Sequence, residues 1–153
     1  MKKPVEQDDA DAVELSELES IEFKNVSFKH NNTIMKCDSS HHYMKRNKMI
    51  AFGNIRIKKG DSLSMSGEKL IYEGNNNIAY LSGGVYLQDK HTKLSTQEIT
   101  FNLKEDIAYY ITKGEIKDGE LTLTSEKGTY NTKSHLFYFK KNVEVISKNY
   151  TVE

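Results

Sequence analysis

The sequence predicts an all-β fold: an antiparallel array of bent strands forming two facing sheets, a half jelly roll, built from about four 29-residue modules. Three observations carry this. Aromatic residues stand at Tyr43, Tyr72, Phe101 and Tyr130, each 29 positions after the last, with companion columns Met49, Ile78, Ile107, Leu136 and Phe52, Leu81, Tyr110, Phe139. Within a module the apolar residues alternate with polar ones, the period of a half-buried strand. Turn signals rich in Gly and Asn separate the runs, Pro4 is the single proline, and no helical periodicity follows about residue 20.

Taken in chain order, residues 1–20 read as an acidic flexible tail and 21–153 as the β domain. One module shows the grammar. Ile55 and Ile57 alternate with polar neighbours, a tight turn falls at Lys59-Gly60-Asp61, and Leu63 and Met65 resume the alternation, which is strand, turn, strand. The second strand then changes phase, because Leu94 and the later pair Ile99 and Phe101 cannot share a face without an extra residue. Gly67, Thr96 and Ser125 stand at the switch and predict a bulge or corner there. Further turns are expected at 73–77, 103–106 and 132–135. A second series, Asn25-Val26, Asn54-Ile55, Gly84-Val85, Glu115-Ile116 and Asn142-Val143, is spaced by 27 to 31 residues, so insertions must fall in the connecting turns. These hairpin signals favour an antiparallel array over a parallel solenoid.

Composition limits the function. An apolar share of 37%, nine Tyr included, is thin for a compact globule and suits strands that keep one face wet. Of the 22 acids, eight fall in residues 1–22 against two lysines, which leaves 14 acids and 20 bases in the remainder. That mild surplus serves solubility or attracts an anionic partner. Cys37 is the lone cysteine and forms no internal disulfide. No apolar run reaches the roughly 18 residues of a membrane helix. Lys2 and Lys3 are followed by no apolar stretch of the signal-peptide kind, so either the protein is cytoplasmic or a leader has been removed and a start Met supplied. No catalytic, cofactor or metal constellation is expected. The adjacent His41 and His42 point to opposite faces of a strand, and Glu105-Asp106 lies in a turn where solvent accounts for it.

The stretches Asn47–Gly74, Asn75–Asn102 and Ser134–Tyr150 share a pattern: Ala-x-aromatic or Leu, then Gly or Asn before Val/Ile-x-Val/Ile, a Gly turn, Leu-x-Ser/Thr, and a closing aromatic. In this the chain resembles the OstA-like family of periplasmic lipopolysaccharide-transport proteins. Ile34–Ser40 with Ala51–Leu63 is similar to large OstA-like proteins of Bacteroidetes-type bacteria. The resemblance covers roughly residues 21–153 and implies a β-taco whose interior holds acyl chains and whose end strands add to neighbouring OstA-like domains head to tail. It also implies a periplasmic location, hence a leader absent from the sequence, and a longer parent protein, since the repeat stops partway into a fifth module.

On this reading the sheets splay at one edge around an apolar groove lined by Ile55, Ile57, Val85, Leu87, Ile99, Phe101, Ile116, Leu123, Val143 and Val145. Lys45, Arg46, Lys48, Arg56, Lys58 and Lys59 then either meet lipid phosphates or serve as a solvated edge that blocks aggregation. The expected partner is lipopolysaccharide or a similar amphiphile, with no nucleic acid and no transmembrane segment in the chain. The alternative is a structural β-repeat spacer or assembly module whose interior is filled by its own side chains.

Overall fold

A computed structural model describes residues 20–147, 151 and 152. The acidic tail expected over 1–20 lies outside the described residues, except that Ser20 opens the first strand. Six long strands come first: β1 (Ser20–His30), β2 (Thr33–Tyr43), β3 (Lys48–Lys59), β4 (Leu63–Glu73), β5 (Ile78–Asp89) and β6 (Thr92–Asn102). Beyond β6 the long strands are interrupted, giving β7 (Ile107–Tyr110) and β8 (Gly114–Asp118), β9 (Leu121–Ser125) and β10 (Lys127–Asn131), and β11 (Leu136–Lys140) and β12 (Glu144–Ser147). β13 (Thr151–Val152) follows, and every pairing is antiparallel.

Two leaves result. Residues 100–102 of β6 pair with β7, which leads on to β10 and β11. Residues 92–95 of the same strand pair with β8, which leads on to β9, β12 and β13. Strands β1 to β6 run through both leaves, so the molecule is one sheet folded along a line of corners and divided at its far end. The predicted antiparallel bent-strand architecture is thus present.

Its interior follows from the alternation. In β4, Leu63, Met65 and Gly67 are buried, Glu68 and Lys69 are both exposed, and burial resumes at Leu70. In β6 the same slip falls at Gln97 and Glu98, between Thr96 and Ile99. Both halves of each strand therefore turn their apolar side toward one shared core. The phase change sits where the sequence placed it, beside Gly67 and Thr96. The extra residue, however, is on the partner strands: Gly53 and Asn54 of β3 stand opposite Glu68 alone, and Gly83 and Gly84 of β5 opposite Gln97 alone. The reason is conformational. Gly53, Asn54, Gly83 and Gly84 have φ of +81°, +47°, +91° and +66°, left-handed values that Gly and Asn adopt at least cost.

The first member of each column, Tyr43, Met49 and Phe52, is one residue out of phase with the rest. Phe52 shares the 29-residue spacing with Leu81, yet it is exposed, with the Lys69 ammonium 5.7 Å from its ring centroid. The turn between β3 and β4 is one residue longer than those between β1 and β2 and between β5 and β6, so Ala51 is the true counterpart of Leu81. A side-chain period of two cannot absorb a single insertion without reversing the face.

The corner predicts unequal costs for similar changes. A Cβ on Gly84 meets nothing within 4 Å, so Gly84→Ala should lose about 1 kcal/mol through left-handed strain alone. A Cβ on Gly83 would sit 2.7 Å from the Glu68 Cβ, so Gly83→Ala should lose roughly twice that. Urea unfolding midpoints of the two variants check the order.

Candidate functional site: the interior between the leaves

The interior changes character along the array. At equivalent positions before each corner stand Ala51, Leu81, Tyr110 and Phe139, and on the intervening strands Ser40, Leu70, Ile99 and Gly128. Small side chains thus occupy the end near β1. At the far end Tyr130 stacks on Phe137 at 4.1 Å and Phe137 on Phe139 at 5.7 Å, while the Tyr110 ring fills the space that a Cβ on Gly128 would need. Tyr110 is also tied by its hydroxyl to Ser125, 2.6 Å away. Met35, Met49 and Met65 line the soft end, where unbranched thioethers adapt to irregular space.

The tips of the two leaves meet along the open side, and polar groups close that seam. The Lys59 ammonium at the end of β3 pairs with the Asp106 carboxylate in the turn before β7, and Lys133 lies 3.5 Å from the other carboxylate oxygen. Asp106 is held in place because its carbonyl accepts the Thr132 N–H at 2.9 Å and the Thr132 hydroxyl at 3.0 Å. Burial and the Lys133 ammonium push Lys59 below its ordinary value, against the pull of Asp106. One module later a carboxylate and an imidazole occupy the corresponding places: His135 Nδ1 is 2.5 Å from Asp89 Oδ2, and the Tyr130 hydroxyl is 3.1 Å from the same nitrogen. Asp89 is 3% exposed, and its other oxygen has no hydrogen-bond partner among the described residues. The solvated turn expected at Glu105-Asp106 is therefore corrected for Asp106, which is buried and paired.

Toward β1 the seam is open. A mouth of about 190 Å³ lies between Phe28 and Met35 of the second leaf and His42, Met44, Met49 and Tyr72 of the first, with Lys29 and Lys48 at its rim. His42 packs against the rings of Phe23 and Phe28 at 4.9 and 4.6 Å, and burial pushes its imidazole below the ordinary value. Just inside, burial pushes the Cys37 thiol up, which leaves it inert as a nucleophile.

Of the residues assigned to the groove, Ile55, Ile57, Val85, Leu87, Ile99, Phe101, Ile116 and Leu123 are buried together in the core between the leaves. Val145 is half-buried against that core, and Val143 is 44% exposed beside the corner. The basic residues separate into three places. Lys45, Arg46 and Lys48 sit at or beside the tip turn between β2 and β3, Arg56 and Lys58 on the outer face of the second leaf, and Lys59 in the seam. Sequence reasoning missed the mouth itself, whose lining comes from four strands and a turn. It also missed Asp89, Asp106 and His135; the only signal was that Asp106 and His135 directly precede strands, 29 residues apart. Among the described residues no group of three or more His, Cys, Asp or Glu side chains is placed to hold a metal, and no helix is long and apolar enough to cross a membrane.

Two outcomes test this geometry. Asp106→Ala leaves two ammonium groups facing each other and should cost about 3 kcal/mol in chemical denaturation, whereas the double change Lys59→Met with Asp106→Leu should recover most of it. For His42 the folded pKa is lowered, so the unfolded chain takes the proton first as pH falls through about 6.5. Its contribution is full above that value and declines below it until the folded imidazole also protonates. Urea midpoints between pH 7.5 and 5 should therefore fall more steeply for the parent protein than for His42→Phe.

Comparison with known proteins places this geometry. A family model described as OstA-like protein matches residues 4–153. The fold is similar to that of LptH from Pseudomonas aeruginosa, described as the LptA-homologous periplasmic component of the conserved lipopolysaccharide transport device. The TM-score is 0.67 at 15% identity, covering 76% of this chain and 94% of that one. No curated protein matches the chain.

Proposed function

The chain belongs to the OstA-like family, and from that membership and the mouth on its open side we propose a non-enzymatic, periplasmic carrier that holds acyl chains of a lipopolysaccharide-type amphiphile between its leaves. The mouth is the observation that carries the reading. It joins an apolar interior to solvent at the end where that interior is lined by small residues and methionines, with lysines at the rim to meet head-group phosphates. Its volume, about 190 Å³, is below the roughly 300–1,000 Å³ of typical ligand pockets, so occupancy requires the leaves to splay. The small and flexible side chains near β1 make that end the place to splay, and the ionic seam and stacked aromatics hold the far end shut.

Magnitudes set the terms of binding. Burying about ten methylenes of one acyl chain yields roughly 8 kcal/mol, and association costs about 4 kcal/mol or more. The remainder corresponds to roughly millimolar affinity, so firm holding takes a second chain or head-group contacts. Neighbouring OstA-like domains join by strand pairing, because β1 at one end and β11 and β13 at the other each have a strand partner on one side only among the described residues.

A second reading, a structural spacer, is favoured by the burial of Ile55, Val85, Leu87 and Phe101 within a core already filled. The chain has no Trp, so one indole separates the two. Tyr72→Trp in the mouth should show a saturable blue shift when lipopolysaccharide is added, while Tyr80→Trp on the outer face of the first leaf should not. Equal responses at both positions, or none at Tyr72→Trp, would leave the spacer standing.

A further inference from the structure

We propose that the outer face of the second leaf carries a separate binding site for a phosphorylated sugar, built from Lys36, Arg56 and Lys58 with Ile34 and Tyr86 beside them. These residues surround a hollow of about 410 Å³, with Ser64 and Ser66 on its floor. The register brings the cations together. Lys36 is the direct cross-strand partner of Arg56, and Lys58 lies two residues along β3, opposite Ile34 on one side and Ser64 on the other. Like charges directly opposite one another destabilise a sheet. Between the corner and the tips, the outward residues of β1 to β5 in this leaf are Ser27, Lys29, Ile34, Lys36, Arg56, Lys58, Ser64, Ser66, Tyr86 and Gln88, and the acid of β4 that comes nearest, Glu68, lines a second hollow at the corner with Arg56 and Ser66. The next acid along β2, Asp38, instead accepts a hydrogen bond from the Asn54 side chain at 2.8 Å.

The chemistry of the lining selects the ligand. A guanidinium flanked by two ammonium groups matches a phosphate, which offers several acceptor oxygens to charge-assisted donors. Tyr86 and Ile34 are exposed apolar surface on opposite sides of that cluster, placed to cover the face of a ring, and the two serines can hydrogen-bond to its hydroxyls. Inorganic phosphate would use the cations alone; a sugar phosphate uses the whole hollow. The site lies on the opposite side of the leaf from the interior and stands or falls independently of acyl-chain binding.

The test is a titration of the full chain with inorganic phosphate, glucosamine 1-phosphate and de-acylated lipopolysaccharide, followed by amide chemical shifts. Glucosamine 1-phosphate should saturate, bind at least about ten-fold tighter than inorganic phosphate, and shift β2 to β5 on the second leaf. Arg56→Gln should weaken it about ten-fold and raise the urea midpoint of the ligand-free protein, because relief of the facing charges is a gain when nothing is bound. Tyr86→Ala should weaken the sugar phosphate and leave inorganic phosphate unchanged. Tighter binding of the de-acylated lipopolysaccharide points to a lipid head group as the natural ligand, and the reverse order to a free sugar phosphate; both outcomes support the site. Equal affinity for phosphate and sugar phosphate, or binding untouched by Arg56→Gln, would overturn it.

Discussion

The structure depends on one constraint: a long strand that bends must still present its apolar side chains to the same interior on both sides of the bend. Side chains alternate strictly, so a corner made without an extra residue would turn half of each strand inside out. The chain meets this by adding a residue to alternate strands, in left-handed conformation, as Gly53-Asn54 and Gly83-Gly84. Asn25 of β1 and Lys141 and Asn142 before β12 have the same positive φ. Only the short interval between β7 and β8 replaces this with a plain gap, where the Thr96 hydroxyl donates to the Thr112 carbonyl at 2.9 Å.

Stacked corners have a consequence at the opposite rim. When every strand bends at the same depth, all the turns of one leaf come to lie along the turns of the other, and turns carry backbone polar groups that cannot enter an apolar core. Within a leaf, successive turns satisfy one another, as in the N–H of Gly74 to the carbonyl of Asn47 and that of Leu103 to Asn77. Between leaves, polar side chains make the contacts at Lys59–Asp106 and Asp89–His135. Lys59 and Asp106 stand where the next module has Asp89 and His135, so no single residue type is repeated there. A seam of this kind closes without apolar zippering, so the core behind it and not the contact itself supplies most of the holding force.

This explains what could be read from the sequence. Period-two alternation, the tip turns at Gly60 and 103–106, and the Gly/Asn-Val/Ile series were legible because strand geometry imposes each of them locally. The fold class and the OstA-like resemblance rest on those signals. Where insertions enter, local reading fails: Phe52 lines up by counting but faces solvent, since the extra residue lies in the turn between β3 and β4. The site was less legible than the fold. The buried apolar residues named for it form the core shared by both leaves, whereas the mouth is assembled from side chains of four strands and a turn, which apolar counting along one strand does not register.

Charge shows the same limit more sharply. Six basic residues between Lys45 and Lys59 look like one patch in the sequence, and three independent rules scatter them. The tip turn keeps Lys45, Arg46 and Lys48 at the end of the first leaf; alternation sends Arg56 and Lys58 to the outer face; and the strand terminus delivers Lys59 to the seam. The neighbour that makes Arg56 unusual is Lys36, twenty residues away in the chain and directly across the ladder. Pairing register, set by the corner on β3 and the turn before it, is therefore what turns a scattered surplus of positive charge into a local one. Facing like charges cost stability where they stand, so their juxtaposition is a property of the folded sheet and not of the composition.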